Sequence, residues 1–266
     1  MSPPGLRIAV YGLGEAGSAI ATDLAAAGAA VTGYDPRGVP DPEGVTRFTD
    51  PVDAVLDARL VLAVTAAEDA TGALAQALRH IPSDTLYADL STASPKSKRA
   101  LGDSATAAGL SFVDVALMSP VPGKGLRTPE LASGPGATRY AAMLRPLGAP
   151  VEVVGDQPGA AATRKLLRSV VIKGLAGLII EAMRSATAAD LEAATWADLV
   201  GQFEEMDEAF LRRLVDSTGA HAVRRLHEME AAAELLEELG GAATLTRATV
   251  ETLRRVPVEG LPELPC

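Results

Sequence analysis

The sequence has few of the cysteine, histidine and aromatic residues that disulfides, metal sites and nucleic-acid surfaces require. Its single cysteine, Cys266, is the last residue, which excludes a disulfide or a cysteine metal site within one chain. The three histidines, His80, His221 and His227, lack the spacing of metal ligands, so we expect no metal and no zinc dehydrogenase. Aromatic residues make up 3% of the chain, too few for a surface that stacks nucleic-acid bases.

Long apolar runs and an excess of positive charge are also missing. The longest uncharged apolar runs, such as 60–67, are far shorter than a bilayer span. We expect no charged and then apolar secretory leader before the first predicted strand. The net charge of −10 argues against nucleic acid or an anionic membrane as the main partner. We therefore expect a cytoplasmic protein with a small-molecule substrate, and 266 residues provide for one large or two modest domains.

The motif that organises the chain lies near its start. The apolar segment 6–11 is followed by glycines spaced G-x-G-x-x-G and then by helix-forming residues up to Gly28. The first glycine permits a tight turn, the second lets the backbone approach a pyrophosphate, and the third lets strand and helix pack closely. The N–H groups at the helix N-terminus favour phosphates. We predict a dinucleotide site at Gly12, Leu13, Gly14, Glu15, Ala16 and Gly17.

A second short strand, 31–34, ends at Asp35. An acid about 20 residues after the glycine motif can accept hydrogen bonds from the adenosine ribose hydroxyls and repels a 2′-phosphate. NAD is therefore the predicted cofactor. Arg37 follows two residues later and can offset the repulsion, so NADP stays open.

Short apolar runs alternate with helical patterns up to about residue 155. This alternation predicts an α/β fold with a Rossmann-type, doubly wound, mainly parallel sheet. Ligands of such sheets bind at the carboxyl ends of strands. Thr65 and Ser91 are predicted cofactor contacts there, and Ser91 and Thr92 are predicted substrate contacts, although a helix cap explains each of them equally well. The further predicted strands are 61–65, 85–89, 111–115, 129–133 and 151–154, and the helices are 70–79, 95–108 and 137–147.

After Gly155 the pattern becomes entirely helical. We place a domain boundary there, with a dinucleotide-binding domain over 1–155 and an all-helical C-terminal domain over 156–266. The first helix is apolar around most of its circumference, so we expect it to be buried on most sides. The predicted helices are 163–184, 199–215, 222–239 and 245–256.

Four polar residues share one face of the first of these helices: Lys165, Arg168, Ser169 and Lys173. A buried cationic face is costly unless it meets a ligand, an acid or water. Salt bridges to neighbouring helices are the plain explanation. The functional explanation is that the face takes part in hydride transfer between an alcohol carbon and nicotinamide, in which a lysine acts as general acid or base. The donor fork of an arginine suits a substrate carboxylate or phosphate.

These motifs together resemble the β-hydroxyacid dehydrogenases, which include 3-hydroxyisobutyrate and 6-phosphogluconate dehydrogenases. Segment 12–17 is similar to the family's dinucleotide motif, 89–92 to its strand-end motif, 114–122 to its substrate-binding segment and 155–165 to its catalytic segment. The resemblance covers nearly the whole chain and implies that Lys165 is the catalytic lysine. It also implies a homodimer or homotetramer whose helical domain serves substrate binding and oligomerisation.

Several positions depart from the family. Met118 and Ser119 stand where it has Ser and Gly, Ala161 replaces a glycine, and Arg168 and Ser169 replace an Asn pair. Segment 165–175 is similar to a subgroup known mainly by a C-terminal domain of unknown function. The substrate therefore stays open. We expect an anionic one, and the predicted contacts, besides Ser91 and Thr92, are Met118, Ser119, Lys124, Arg168 and Ser169, with an ordinary surface loop as the alternative for segment 118–129.

The predicted function is an NAD(P)-dependent oxidoreductase acting on a β-hydroxyacid-like or other anionic hydroxy or carbonyl compound. Two alternatives stay open. An imine reductase has the same architecture but usually places Asp or Tyr in the cleft, so the retained lysine counts against it. A non-catalytic nucleotide-sensing or scaffold protein is the other alternative, since the Asn and Ser positions have changed.

Overall fold

The computed structural model of the chain describes residues 5–78 and 80–265. The described residues up to Arg168 form one compact unit, and those from Ser169 onward form a second. Cys266, the single cysteine, and Arg79, the last residue of a predicted helix, lie outside the described residues. The domain boundary expected at Gly155 stays a prediction.

The described residues of the first unit are built around one sheet of eight strands. They are β1 (Arg7–Tyr11), β2 (Ala30–Tyr34), β3 (Val45–Phe48), β4 (Leu60–Ala63), β5 (Leu86–Asp89), β6 (Ser111–Leu117), β7 (Glu130–Ser133) and β8 (Val151–Gly155). Their order in the sheet is β3-β2-β1-β4-β5-β6-β7-β8. Among the strands that the structure describes, β6 and β7 pair antiparallel and the other neighbours are parallel. The predicted Rossmann-type, mainly parallel sheet is confirmed.

Helices cover both faces of this sheet. Side chains alternate along β1, so that Ile8 and Val10 join one apolar cluster while Ala9 and Tyr11 join the other. Burial on both faces explains why the strands are continuous apolar runs. The helices are α1 (Glu15–Ala26), α2 (Pro51–Val55), α3 (Ala70–Leu78), α4 (Pro95–Ala107), α5 (Ala137–Leu144) and the start of α6 (Ala160–Ala188).

Two short elements, β3 and α2, are absent from the sequence prediction. β3 has four residues, none of them fully buried, so it shows no apolar run. The five residues of α2 are too few to show a helical period, although Asp50 and Pro51 mark its start. The side chain of Asp50 accepts a hydrogen bond from the N–H of Val52, as an N-cap does.

The second unit contains the rest of α6 together with α7 (Glu192–Glu204), α8 (Glu208–Glu238) and α9 (Thr244–Glu259). Its helical character is confirmed, but the predicted single helix 199–215 is wrong. The chain leaves the helix between α7 and α8, where the Asp207 carboxylate caps α8 by accepting the N–H of Phe210 at 2.7 Å. The apolar spacing of three and four continues across this break and conceals it.

The expectation that α6 is buried on most sides is also wrong. Leu167, Val170 and Val171 are 66%, 71% and 65% exposed. The fold of a single chain leaves this side of the helix uncovered. Among the described residues, none of the helices combines the length and the hydropathy that crossing a bilayer requires.

One carboxyl is buried in the sheet, and its hydrogen-bond partner is a tyrosine hydroxyl. Glu130, at the start of β7, is 2% exposed, and the hydroxyl of Tyr140 donates to its Oε2 at 2.8 Å. Burial raises the pKa of Glu130 to about 7, although the hydrogen bond from Tyr140 acts in the opposite direction. The folded chain therefore binds this proton more tightly than the unfolded chain does.

This raised pKa predicts a pH-dependent effect of the Glu130→Gln substitution. The stabilising contribution of protonated Glu130 is complete below the ordinary pKa of 4.5 and is lost as the pH rises through about 7. A neutral glutamine avoids the buried charge, so we expect the thermal midpoint to rise by roughly 5 °C at pH 8 and to change little at pH 5. The measurement is thermal denaturation at the two pH values. Glu152→Gln, at a largely exposed site in β8, is the control, and an equal gain of Glu130→Gln at both pH values would contradict the prediction.

Candidate active site

The glycine-rich turn joins β1 to α1, and two of its glycines are required by geometry. Gly12 has φ +88°, and a Cβ there would overlap the carbonyl oxygen of Val64. A Cβ at Gly17 would overlap the carbonyl oxygen of Gly12. No larger residue fits at either position without moving the backbone.

Gly14 stands in the same turn but is not required by packing. Its φ of −67° suits any residue, and a Cβ would meet only the Nη2 atom of Arg37, at 3.5 Å. Gly14 is the N-cap of α1, and no side chain caps this helix end. An uncapped helix N-terminus with open space beside it fits the pyrophosphate of a dinucleotide. Of the other residues in the turn, Leu13 is buried, Ala16 is half-buried and Glu15 is exposed.

A cleft of about 430 Å³ lies beside this turn. Gly12, Asp35, Arg37 and Thr65 are among the residues that line it. The Oγ1 atom of Thr65 is buried and has no hydrogen-bond partner among the described residues. A buried hydroxyl without a partner is costly, so its position in the cleft fits a bound polar ligand. The glycine cradle and this hydroxyl together fit a dinucleotide.

The carboxylate of Asp35 closes the end of the cleft at β2. Its side chain is 1% exposed and accepts the N–H of Leu13 at 2.8 Å. Arg37 donates to it three times, from its backbone N–H, Nε and Nη2. Burial acts to raise the pKa of Asp35, but the hydrogen bonds from Arg37 and Leu13 outweigh it and hold the pKa below its usual value. The structure therefore places a charged carboxylate and an exposed guanidinium together at the position expected for the adenosine ribose.

Arg47 fixes the loop that carries Arg37. From β3, its guanidinium donates to the carbonyl oxygens of Asp35, Arg37 and Val39. These hydrogen bonds satisfy three carbonyls of an irregular segment, so the loop is held in one conformation. The Arg37 side chain, 71% exposed, extends from this fixed loop.

Lys165 and Thr92 meet at the carboxyl end of β5. The Nζ of Lys165 donates to the Oγ1 of Thr92 at 2.9 Å. Ser91, the neighbouring residue, is 4% exposed, and its Oγ donates to Asp89 Oδ2 at 2.8 Å. Of the two residues predicted to follow β5, Thr92 contacts Lys165 and Ser91 contacts Asp89 in the sheet.

Two further cations lie at the loop after β6, Lys124 within the loop and Arg168 in contact with it. A guanidinium nitrogen of Arg168 donates to the carbonyl oxygen of Met118, and the Nζ of Lys124 donates to the Oγ of Ser119 at 3.2 Å. The structure thus brings one loop together with the first turns of α6. The predicted buried cationic face is wrong, because Arg168 and Lys173 are exposed and Lys165 and Ser169 are half-buried. Ser169 and Lys173 belong to the second unit.

The sequence prediction missed an ion cluster that is buried at the last residue of β5. The Nζ of Lys98 lies 2.7 Å from Asp89 Oδ2 and 3.2 Å from Asp114 Oδ1, and the three side chains are at most 1% exposed. The contact with Asp114 is an ion pair without hydrogen-bond geometry. The sequence does indicate that Lys98 is buried, because it lies in the apolar stripe of α4 together with Leu101 and Ala105.

Asp114 also holds the beginning of α6. Its Oδ2 accepts the N–H groups of Gly159 and Ala162, each at 3.0 Å, and the hydroxyl of Ser133 at 3.1 Å. Ser133 Oγ accepts the N–H of Ala161 at 3.0 Å. A carboxylate at a helix N-terminus satisfies backbone N–H groups and complements the helix dipole. Within the described part of the chain, no group of three or more His, Cys, Asp or Glu side chains could hold a metal ion.

Comparisons with known proteins identify both parts of the chain. The model of the NAD binding domain of 6-phosphogluconate dehydrogenase matches residues 7–126. A domain of unknown function (DUF1932) matches residues 186–256. The resemblance to this family and to its subgroup is thereby confirmed, and NAD(P) is the cofactor of the first part. A search of curated proteins finds no match.

Solved structures match nearly the whole chain. A conserved hypothetical protein from Sinorhizobium meliloti 1021 is 30% identical, covers 98% of this chain and 92% of its own, and has a TM-score of 0.62. A conserved protein of unknown function, described as similar to 3-hydroxyacid dehydrogenases, is 27% identical over 94% and 98% of the two chains, with a TM-score of 0.60. An imine reductase from Myxococcus stipitatus in complex with NADP⁺ is 20% identical over 96% and 95%, with a TM-score of 0.81. At this identity the last likeness shows the fold alone.

The different roles of the glycines lead to a prediction for Gly14→Ala. The fold tolerates a Cβ there, whereas a pyrophosphate at the uncapped end of α1 does not. We expect the Kd for NADH or NADPH, measured by fluorescence titration, to rise about 10-fold or more while the thermal midpoint stays within about 2 °C. Gly201→Ala in α7, where a Cβ meets nothing within 4 Å, is the control for both readouts. Unchanged cofactor affinity in Gly14→Ala would contradict the assignment.

Proposed function

The chain belongs to the family of NAD(P)-dependent oxidoreductases that combine this 6-phosphogluconate dehydrogenase-type domain with this domain of unknown function, and we propose that it reduces or oxidises an anionic hydroxy or carbonyl compound. A β-hydroxyacid-like compound is the expected substrate. The observation that carries the proposal is the Lys165–Thr92 hydrogen bond at the carboxyl end of β5, the edge at which ligands of such sheets bind.

The residues beside the glycine turn hold the cofactor in this proposal. The uncapped end of α1 at Gly14 binds the pyrophosphate, and the hydroxyl of Thr65 lies in the same cleft. Asp35 and Arg37 face the adenosine ribose. The carboxylate of Asp35 repels the 2′-phosphate of NADP, and the guanidinium of Arg37 offsets this repulsion. When bound, the nicotinamide accepts or supplies the hydride.

Lys165 serves as the general acid or base. Its Nζ is oriented by Thr92 and takes the hydroxyl proton of the substrate during oxidation, or returns a proton to the carbonyl oxygen during reduction.

The neighbouring cations support an anionic substrate. Arg168 follows Lys165 by one helical turn, and Lys124 lies on the loop that Arg168 contacts. A guanidinium binds a carboxylate or phosphate through parallel hydrogen bonds, and the ammonium of Lys124 adds a second positive charge. Met118, Ser119, Ser169 and the strand-end residues Ser91 and Thr92 complete the proposed substrate contacts.

Replacement of Lys165 by Ala tests the proposed mechanism. We expect the turnover number to fall about 10³-fold or more, because the proton on the substrate oxygen loses its acceptor, while the Kd for NAD(P)H changes less than about threefold. Arg164→Ala, which removes the adjacent cation, is the matched control and keeps its activity. Full turnover by Lys165→Ala would remove the lysine from the mechanism.

The substrate for this measurement comes from a panel of hydroxyacids, the corresponding carbonyl acids and a cyclic imine, each run with both cofactors. Turnover of the acids supports the proposal. Turnover of the imine alone makes the chain an imine reductase. Tight NADH binding without turnover of any compound supports a nucleotide-sensing protein.

We also propose that the chain forms a homodimer or homotetramer through α6. Large apolar side chains on this helix are exposed in a single chain, and contiguous apolar surface of this kind marks an interaction site. Light scattering after size exclusion should give a multiple of the mass of one chain. Val170→Glu and Val171→Glu together should reduce that mass, while Val258→Glu, at an exposed position in α9, should not. A monomer at micromolar concentration would contradict the proposal.

A further inference from the structure

We infer that Lys98 is a positioning residue that fixes both partners of the Lys165–Thr92 hydrogen bond. It acts through Asp89 and Asp114. The inference rests on the proposed role of Lys165, and it assigns a function to the buried ion cluster that the proposed chemistry leaves unused.

The first connection runs from Lys98 to Thr92. The Nζ of Lys98 donates to the backbone carbonyl of Asp89 at 2.8 Å and pairs with its Oδ2 at 2.7 Å. The same Oδ2 accepts the hydroxyl of Ser91. Lys98 therefore holds the last residue of β5 at two points, and Asp89 in turn holds the segment from which Thr92 extends.

The second connection runs from Lys98 to α6. Asp114, whose Oδ1 pairs with Lys98, uses its Oδ2 to accept the N–H groups of Gly159 and Ala162. Lys165 is one turn beyond Ala162 on the same helix. Any shift of Asp114 therefore moves the start of α6 and the lysine that it carries.

Charge balance explains why the cluster needs its ammonium group. Asp89 and Asp114 are directly opposite each other in the register of β5 and β6, and both are buried. Without Lys98, two buried carboxylates would face each other, which is strongly unfavourable. The Nζ of Lys98 places a positive charge next to both carboxylates, and hydrogen bonds from the N–H groups of α6 to a carboxylate such as Asp114 are stronger than those to a neutral acceptor.

The test compares Lys98→Met with Lys96→Met, which removes an exposed lysine from the same helix. In Lys98→Met we expect kcat to fall about 10- to 100-fold while the Kd for NAD(P)H changes less than about threefold, because a small misplacement of Lys165 affects chemistry and not cofactor binding. Amide hydrogen exchange over residues 159–165 should become about 10-fold faster. Lys96→Met should change none of these quantities.

The double variant Asp89→Asn/Lys98→Met separates positioning from stability. It removes the excess buried charge, so we expect its thermal midpoint to return toward that of the wild type while kcat stays low. If Lys98→Met does not fold, the double variant carries the test alone.

Three results would overturn the inference: normal kcat in the folded single variant, unchanged exchange over residues 159–165, or recovery of kcat together with stability in the double variant. If the wild-type chain turns over none of the panel compounds, the proposed function has failed. The exchange measurement then decides separately whether Lys98 fixes α6.

Discussion

The contact on which the candidate site depends is the carboxylate of Asp114 at the N-terminus of α6. One side chain from the sheet accepts two backbone N–H groups of the helix, at Gly159 and Ala162, and thereby fixes where Lys165 stands. A buried carboxylate is costly on its own, and Lys98 supplies the opposite charge 3.2 Å from Asp114 Oδ1. The position of the proposed catalytic lysine is thus set by buried electrostatics and not by the surface on which it lies.

The rest of the first unit places a cofactor cleft next to this arrangement. Gly12 and Gly17 are required by the close approach of backbone atoms, whereas Gly14 leaves space at the uncapped end of α1. The doubly wound order of the strands brings the ends of β1, β4 and β5 to one edge of the sheet. The proposed cofactor contacts at the turn and the proposed substrate contact at Thr92 therefore lie along one edge, and this is the physical basis of the proposed hydride transfer.

The sequence predicts the parts of the fold that are dictated locally. The glycine turn and the long apolar strands carry strong local signals, so the sheet and its dinucleotide site can be predicted. The break at Asp207 could not be predicted from periodicity, because apolar spacing continues through it. The exposure of Val170 depends on what covers α6, and no local pattern reports that. Lys98 was missed because its two carboxylate partners come from separate strands, although a lysine at a core position of a helix was a usable sign.

A crystal structure of the full chain with NADPH or NADH bound tests the central claim most directly. We predict the pyrophosphate at Gly14 on the N-terminus of α1 and the nicotinamide beside Thr92, within reach of a substrate oxygen held by Lys165. A cofactor that binds away from the glycine turn, or a nicotinamide directed away from Lys165, would contradict the proposed active site.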